Sequence, residues 1–290
     1  MMKVCLASII GRPNVGKSSL INQIVKYDVA IVTNVPQTTR DQIVGVYNED
    51  DFQLVFVDTP GIHKPLNLLG EALNKSAFES TKDVDCLIFL SPVNEKVGQG
   101  DILILDKIKN TKNKIAVISK IDLAKKPEEI QEKIEELSKY SFDKILSVSR
   151  NNENSIEELI KVIKQYAYEG EPFYDEDYIT DKSMRFLAKE IIRESAINLL
   201  REELPHSIAV EVIDFIEEDD IKINAIIYVK KASQKGMVIG KNGQMIKQIG
   251  TNARKKMMSQ FDSKVELNLK VKIANKWIND GKALKKFGYE

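Results

Sequence analysis

Cysteine is almost missing from these 290 residues: there are two in all, histidine is as scarce, and tryptophan occurs once. Cys5 and Cys86 each sit in an apolar strand-like run. That setting fits buried, reduced thiols better than a disulfide framework or a metal site. Long hydrophobic runs are missing too, and nothing approaches the roughly 18 apolar residues of a membrane span. The short apolar run at the N-terminus feeds straight into a glycine-lysine loop, so it reads as a core strand and not a signal peptide. A cytoplasmic protein is expected. Internal repeats and low-complexity tracts are absent.

Net charge is zero, with 43 Lys+Arg against 43 Asp+Glu, but the two signs are segregated. From Ile221 to Glu290 the chain carries 16 Lys+Arg against 4 Asp+Glu, so the preceding residues hold 27 against 39. An acidic front and a basic tail point to a polyanion partner for the tail, nucleic acid first and anionic membrane second. The length suffices for two domains with separate cores.

Residues 1–168 alternate strand and helix patterns, which predicts an α/β domain with a mainly parallel sheet. The predicted strands are Val4–Ile10, Gln42–Tyr47, Gln53–Asp58, Cys86–Ser91, Lys114–Ser119 and Lys144–Val148. Helices are expected over Asp101–Ile108 and Glu128–Tyr140, and Ser155 with Glu158 reads as a capping box for a helix over Ile156–Tyr166. Glycine, proline and acids cluster in residues 169–181, which read as a linker. Residues 182–290 then form a smaller α+β domain: a helix from Lys182 to Glu203, strands Ser207–Ile216 and Lys222–Lys230, helices around Gly240–Gly243, and strand Val265–Ile273.

Gly11-Arg12-Pro13-Asn14-Val15-Gly16-Lys17-Ser18, between the first strand and a helix opening at Ser19, fits the phosphate-binding pattern G-x-x-x-x-G-K-[ST]. Its backbone N–H groups and the helix dipole favour phosphate, Lys17 reaches the β- and γ-phosphates, and Ser18 binds Mg²⁺. Asp58-Thr59-Pro60-Gly61 ends an apolar strand and supplies a second group for the ion and a side-chain-free amide for the γ-phosphate. Thr38 and Thr39 lie between these two stretches; a threonine hydroxyl there completes the Mg²⁺ shell in a switch loop. Ser119-Lys120-Ile121-Asp122 follows another strand. The Asp122 carboxylate accepts from the paired donors of guanine, which adenine lacks, and the Lys120 stem covers the base. Ser147, Val148 and Ser149, after the next strand, are expected to offer backbone N–H groups to the base oxygen. GTP is therefore the expected nucleotide.

The order of these motifs resembles the translation-factor-like GTPases of the Ras superfamily, and the wording of Gly11–Ser18, Pro36–Arg40 and Asp58–His63 resembles the Era GTPase family. Two departures stand out. Ser119 occupies the place of the family's usual asparagine, which shortens or removes a base contact, and Val148 that of a small alanine. Ile62 stands where many Ras-like proteins carry a water-orienting glutamine, which implies slow intrinsic turnover. The resemblance also implies that Asn14 helps hold a K⁺ ion in place of an arginine finger, alongside Lys17, Thr39 and Gly61 in catalysis. His63 reads as incidental more readily than as a base.

In the basic tail, Gly240-Lys241-Asn242-Gly243 is a G-x-x-G turn between helical segments, and the element order matches a type II KH domain. Such a turn clamps about four nucleotides of single strand beside an apolar groove. Lys235, Lys241, Lys247, Arg254, Lys255 and Lys256 are the expected phosphate contacts, with Met237, Val238, Ile239 and Ile246 alongside. The Era resemblance continues through Asp177–Ser183, Glu190–Glu194, Met237–Gly240 and Trp277–Tyr289. It implies binding to the 3′ end of 16S ribosomal RNA, a role in 30S subunit assembly, a monomer, and peripheral association with the inner membrane face. The expectation is a GTPase whose nucleotide state controls RNA binding. Ile62 and Ser119 keep open a constitutive RNA-binding protein with a structural nucleotide domain; a small-molecule kinase fits the Thr38-Thr39 and Ser119–Asp122 motifs poorly.

Overall fold

A computed structural model of the chain describes residues 2–36, 38–62, 65, 67–149 and 151–289. By proximity of its residues the chain divides into two compact units, the first holding residues 1–30, 39–65 and 73–181, the second residues 31–38, 66–72 and 182–290.

The first unit is built on strands β1 (Met2–Ile10), β2 (Ile43–Glu49), β3 (Phe52–Asp58), β4 (Cys86–Pro92), β5 (Lys114–Ser119), β6 (Lys144–Ser147) and β7 (Tyr168–Gly170). Helices α1 (Lys17–Val25), α2 (Leu68–Glu79, in this unit from residue 73 on), α3 (Gln99–Ile108), α4 (Glu128–Leu137) and α5 (Glu153–Ile163) connect them. The sheet order is β2-β3-β1-β4-β5-β6, with β7 on the starting end of β1. Strands β4 and β5 are buried along their whole length, as strands covered by helices on both faces must be, and their near-continuous apolar runs follow from that. Parallel pairing aligns Ile9 with Asp58, Ile10 with Phe89, Pro92 with Ser119 and Ile118 with Ser147. All the strand-end motifs therefore emerge at one edge. β1 lies between β3 and β4, so its carboxyl end is the point where the strand order reverses, the place where open α/β sheets bind ligands.

The α5 helix starts earlier than the capping box at Ser155 and Glu158 predicts. Asn152 caps it by accepting from the Ser155 N–H, and Ser155 lies inside the helix, buried, with its hydroxyl bonded back to the Asn152 carbonyl. The stretch expected as a linker is laid along the first unit. Gln53 donates to the Tyr174 carbonyl and accepts from the Phe173 and Tyr174 amides, Val46 donates to the Ile179 carbonyl, and Val44 to the Asp181 side chain. Both cysteines are buried and free.

The second unit packs α6 (Met184–Leu199), α7 (Leu204–Ser207), α8 (Ala232–Ile239) and α9 (Gln244–Phe261) with strands β8 (Ala209–Glu217), β9 (Ile221–Val229) and β10 (Val265–Ile273), and ends in α10 (Gly281–Phe287). Its sheet runs β10-β9-β8, β10 parallel to β9 and β8 antiparallel. Ile191, Ile197, Ile227, Val238, Ile249 and Met257 belong to one buried apolar cluster. The expected order of helix, two strands, helix, glycine turn, helix and strand is the observed one, with α7 inserted before the first strand. Among the described residues no helix is long and apolar enough to cross a membrane.

Candidate nucleotide site and RNA-binding groove

The loop from Gly11 to Ser18 is tied down by its carbonyls. Lys17 Nζ donates to Gly11 O at 3.2 Å and Arg12 O at 3.0 Å, and the Ile62 amide also reaches Gly11 O. Lys120 Nζ takes Asn14 O and Ser119 Oγ takes Val15 O, each at 2.6 Å. A peptide's N–H points opposite to the carbonyl before it, so a loop held by its carbonyls offers amides on the other side, where an anion binds. Two glycines make this path possible. A Cβ on Gly11 would lie 2.6 Å from Leu90 O, and Gly16 has φ +107°. Asn14 also adopts a left-handed φ of 62°. Gly61 presses on the loop so closely that a Cβ there would lie 2.6 Å from the Pro13 backbone. Ser19 stands in the first turn of α1.

Lys17 is buried, and burial pulls its pKa down to about 8 against the opposing charge of Asp58. Burial pushes the Asp58 carboxyl up, against Lys17, Ser18 and the Thr59 amide. Ser18 Oγ lies 2.8 Å from Asp58 Oδ2 and 2.9 Å from Thr39 Oγ1. Three hard oxygens thus converge with one carboxylate among them, a donor set that suits Mg²⁺ completed by phosphate oxygens. Thr59 anchors the end of β3 by donating to the Ile9 carbonyl, and Pro60 beside it is buried. The two threonines part company: Thr38 turns into its own loop, bonded to Thr33 Oγ1 and Val35 O, and it is Thr39 that meets Ser18.

Asp122 is exposed at the end of β5, beside Lys120. Its carboxylate accepts from Ser149 Oγ at 3.0 Å. Of the three residues expected on the base side, Ser149 is the one whose side chain meets Asp122. Ser147 ends β6, and Val148 is buried with its N–H on the Ile118 carbonyl, as the sheet ladder requires. Ile62 is fully buried among Ile10, Ala77 and Leu87. His63 lies outside the described residues.

In the second unit, Gly240 and Gly243 have φ of +74° and +75°, and Asn242 between them is also left-handed. A Cβ on Gly240 would sit 2.7 Å from Met245 Cβ, so the turn closes only on glycine. Beyond the turn, α9 and β10 bound a groove of about 340 Å³ lined by Lys247, Gly250, Thr251 and Arg254 on the helix and Leu267, Asn268 and Leu269 on the strand, with Ile246 at the turn end. Lys247 and Arg254 are seven residues apart, two helical turns, and share one face. Sequence reasoning missed Gly250, Thr251 and the β10 residues. A glycine inside a helix was the available hint, since such a residue usually answers to packing or a ligand. Lys235, Met237, Lys241 and Ile239 lie on α8 or the turn outside this lining, Met237 largely exposed and Ile239 half-buried against the core. Val238 must be withdrawn from the RNA contacts: it is fully buried in the core, where it holds α8 on the sheet.

A family model described as a 50S ribosome-binding GTPase matches residues 7–121, and a KH domain model matches residues 203–278. The chain is 73% identical over 289 residues to the GTPase Era of Mycoplasmopsis agalactiae, covering 99% of this chain and all of that one. It is 41% identical over 294 residues to the GTPase Era of Clostridium perfringens, covering 100% and 99%. Among solved structures it is similar to Era in complex with MgGDPNP and nucleotides 1506–1542 of 16S ribosomal RNA, at 35% identity and TM-score 0.96, covering 100% and 99%. It is similar also to a point variant of Aquifex aeolicus Era bound to GDP·AlF4⁻, at 35% identity and TM-score 0.95, covering 99% of each.

Proposed function

Because the chain belongs to the Era GTPase family, we propose that it is a GTP-driven switch that binds the 3′ end of 16S ribosomal RNA and assists assembly of the 30S subunit. The observation that carries this reading is the pairing, in one chain, of the Ser18–Thr39–Asp58 cluster with the basic groove between α9 and β10. The related Era bound to a 16S segment supports the choice of RNA.

Ser18, Thr39 and Asp58 would hold Mg²⁺, which supplies positive charge at the β- and γ-phosphates. The loop amides and Lys17 bind and orient the triphosphate, the Gly61 amide faces the γ-phosphate, and Asp122 with Lys120 selects guanine. Asn14, on the left-handed corner of the loop, is placed in this reading beside a K⁺ ion; equal hydrolysis rates in potassium and sodium would remove it. In the groove, Lys247 and Arg254 take backbone phosphates while the glycine turn admits the strand closely.

The chain acts here as a cytoplasmic monomer, and a peripheral contact with the inner membrane face is carried as part of the same reading, tested by co-sedimentation with anionic vesicles. The central test is binding of a labelled 16S 3′-terminal RNA with GDP and with GDPNP. Higher affinity in one nucleotide state is expected; identical affinity in both would end the switch reading.

A further inference from the structure

Arg12 was expected in the nucleotide site as part of the phosphate loop, and its side chain is held by two carboxylates. Its Nη2 donates to Glu95 Oε2 at 2.8 Å, and its Nε lies 2.8 Å from Asp101 Oδ2. Asp101 is fully buried, in the first turn of α3, and the same oxygen accepts the Gly98 N–H at the start of that helix. The stem is built in as well: a Cβ on Gly100 would lie 2.8 Å from Arg12 Cδ and 3.3 Å from Cγ. Glu95 belongs to a stretch that is itself anchored, since its carbonyl takes Lys133 Nζ and the Val97 amide donates to Glu136. Burial alone would lower the basicity of the guanidinium, but the bond to Asp101 and the charges of Asp101 and Glu95 outweigh it and raise it.

We propose that Arg12 is a positioning residue: it braces the leading limb of the phosphate loop against the start of α3 and so fixes the two carbonyls that hold Lys17 Nζ. The Arg12 carbonyl is one of those acceptors and the Gly11 carbonyl the other. A swing of the Arg12 side chain would displace its own peptide, and with it Lys17. A buried carboxylate is tolerated because the guanidinium pairs with it, so loss of Arg12 alone would leave Asp101 as an uncompensated buried charge. The arginine therefore serves the phosphates through Lys17 and is not a cation that reaches them. This inference rests on the reading of Gly11–Ser18 as the GTP site.

The full-length protein and its R12A, R12K, D101N and G100A variants are titrated with a fluorescent GDP and a fluorescent GTP analogue, alongside ATP as competitor and nucleotide-free melting curves. R12A and D101N should each weaken both nucleotides about tenfold, the worth of one charge-assisted bond, without changing the preference for guanine over adenine. The double variant should lose no more than either single one. G100A, which changes no charge but crowds Arg12, should move in the same direction, and R12K should recover part of the loss. If R12A does not fold, R12K and G100A read the same geometry. Unchanged affinity in R12A or in G100A overturns the proposal. So does a D101N variant that binds as well as or better than the parent while R12A binds worse, because that pattern means a freed arginine reaches the phosphates directly. Failure of the parent protein to bind GTP would instead overturn the assignment of the site.

Discussion

The Ser119 hydroxyl donates to the Val15 carbonyl at 2.6 Å. That bond runs from the end of β5 to the Gly11–Ser18 loop and ties the stretch proposed to read the base to the one proposed to hold the phosphates. A serine in place of the family's usual asparagine thus keeps a tether to the loop while presenting a shorter group to the base. Ser119→Ala should weaken GDP and GTP alike by about 1 kcal/mol, roughly fivefold, the net worth of a buried hydrogen bond. Ser119→Asn should hold or strengthen both. Fluorescent-nucleotide titrations check the pair; an alanine variant indistinguishable from the parent would show that the tether does not matter.

How much of this site could be read in advance divides along a physical line. Backbone-determined features were legible, because Gly11, Gly16, Gly240 and Gly243 are needed wherever a turn has positive φ or no room for a Cβ. Strands β5 and β10 fell on their expected residues for a similar reason, since an uninterrupted apolar or alternating run fixes them. Side-chain partnerships were not legible. Arg12 meets Glu95 and Asp101 some eighty to ninety residues on, and Ser149 meets Asp122 across two strand ends. Nothing local in either stretch announces its partner. The stretch 169–181 has the composition of a linker, yet its backbone groups are claimed by Gln53, Asn48 and Val46; composition reports what a segment lacks and not what it lies against.

Groove residues and core residues of the second unit should separate cleanly. Lys247→Ala and Arg254→Ala should each lower RNA affinity several-fold at about 0.1 M salt and flatten the salt dependence by about one unit of slope, with melting unchanged. Val238→Ala should do the reverse: destabilise the unit by about 1–3 kcal/mol and leave the RNA affinity of the folded protein intact. Anisotropy titrations across a salt series, with thermal melts, distinguish the two classes. An RNA-binding defect in Val238→Ala without loss of stability would return that residue to the interface.

Trp277 is the chain's one tryptophan, fully buried, donating from Nε1 to the Ser207 carbonyl at 2.9 Å and meeting Phe287 edge-on. Its fluorescence should therefore report the second unit alone. Denaturation followed at tryptophan emission should show one cooperative transition for that unit, and Trp277→Ala should destabilise it by about 3–5 kcal/mol. Far-ultraviolet circular dichroism, which sees both units, supplies the comparison. Tryptophan emission that already resembles the unfolded state in the native protein would contradict the packing.

Alkaline pH should weaken the first unit through its two thiols. Burial pushes Cys5 up to about 12, with the Asp85 charge adding to it, and pushes Cys86 upward for the same first reason. Unfolded thiols ionise near 8.5, so above that pH the unfolded chain sheds protons that the folded chain keeps. The contribution to stability is complete below about 8.5 and drains away as pH climbs toward the folded values. Denaturant midpoints between pH 7 and 10.5 should fall more steeply in the parent than in a Cys5→Ala, Cys86→Ala double variant. Thiol reagents at pH 8 should label neither cysteine until denaturant is added.

Ile62 occupies the place of a water-orienting glutamine, but its environment decides what a substitution there can do. The side chain is fully buried with Ile10, Ala77 and Leu87, and the backbone N–H is held by the Gly11 carbonyl at 3.2 Å. A glutamine at this point would bring an amide into an apolar cluster, where an unmatched polar group costs about 1–3 kcal/mol on top of the lost packing. To reach water it would have to leave the core and pull on the peptide that holds Gly11. Ile62→Gln is therefore expected to lower stability by about 2–4 kcal/mol and to leave the single-turnover hydrolysis rate at or below that of the parent. Ile62→Leu, which keeps the volume, should cost less than about 1.5 kcal/mol and preserve the rate. Single-turnover assays with chemical denaturation settle both, and a faster Ile62→Gln enzyme would mean that this residue turns outward during hydrolysis.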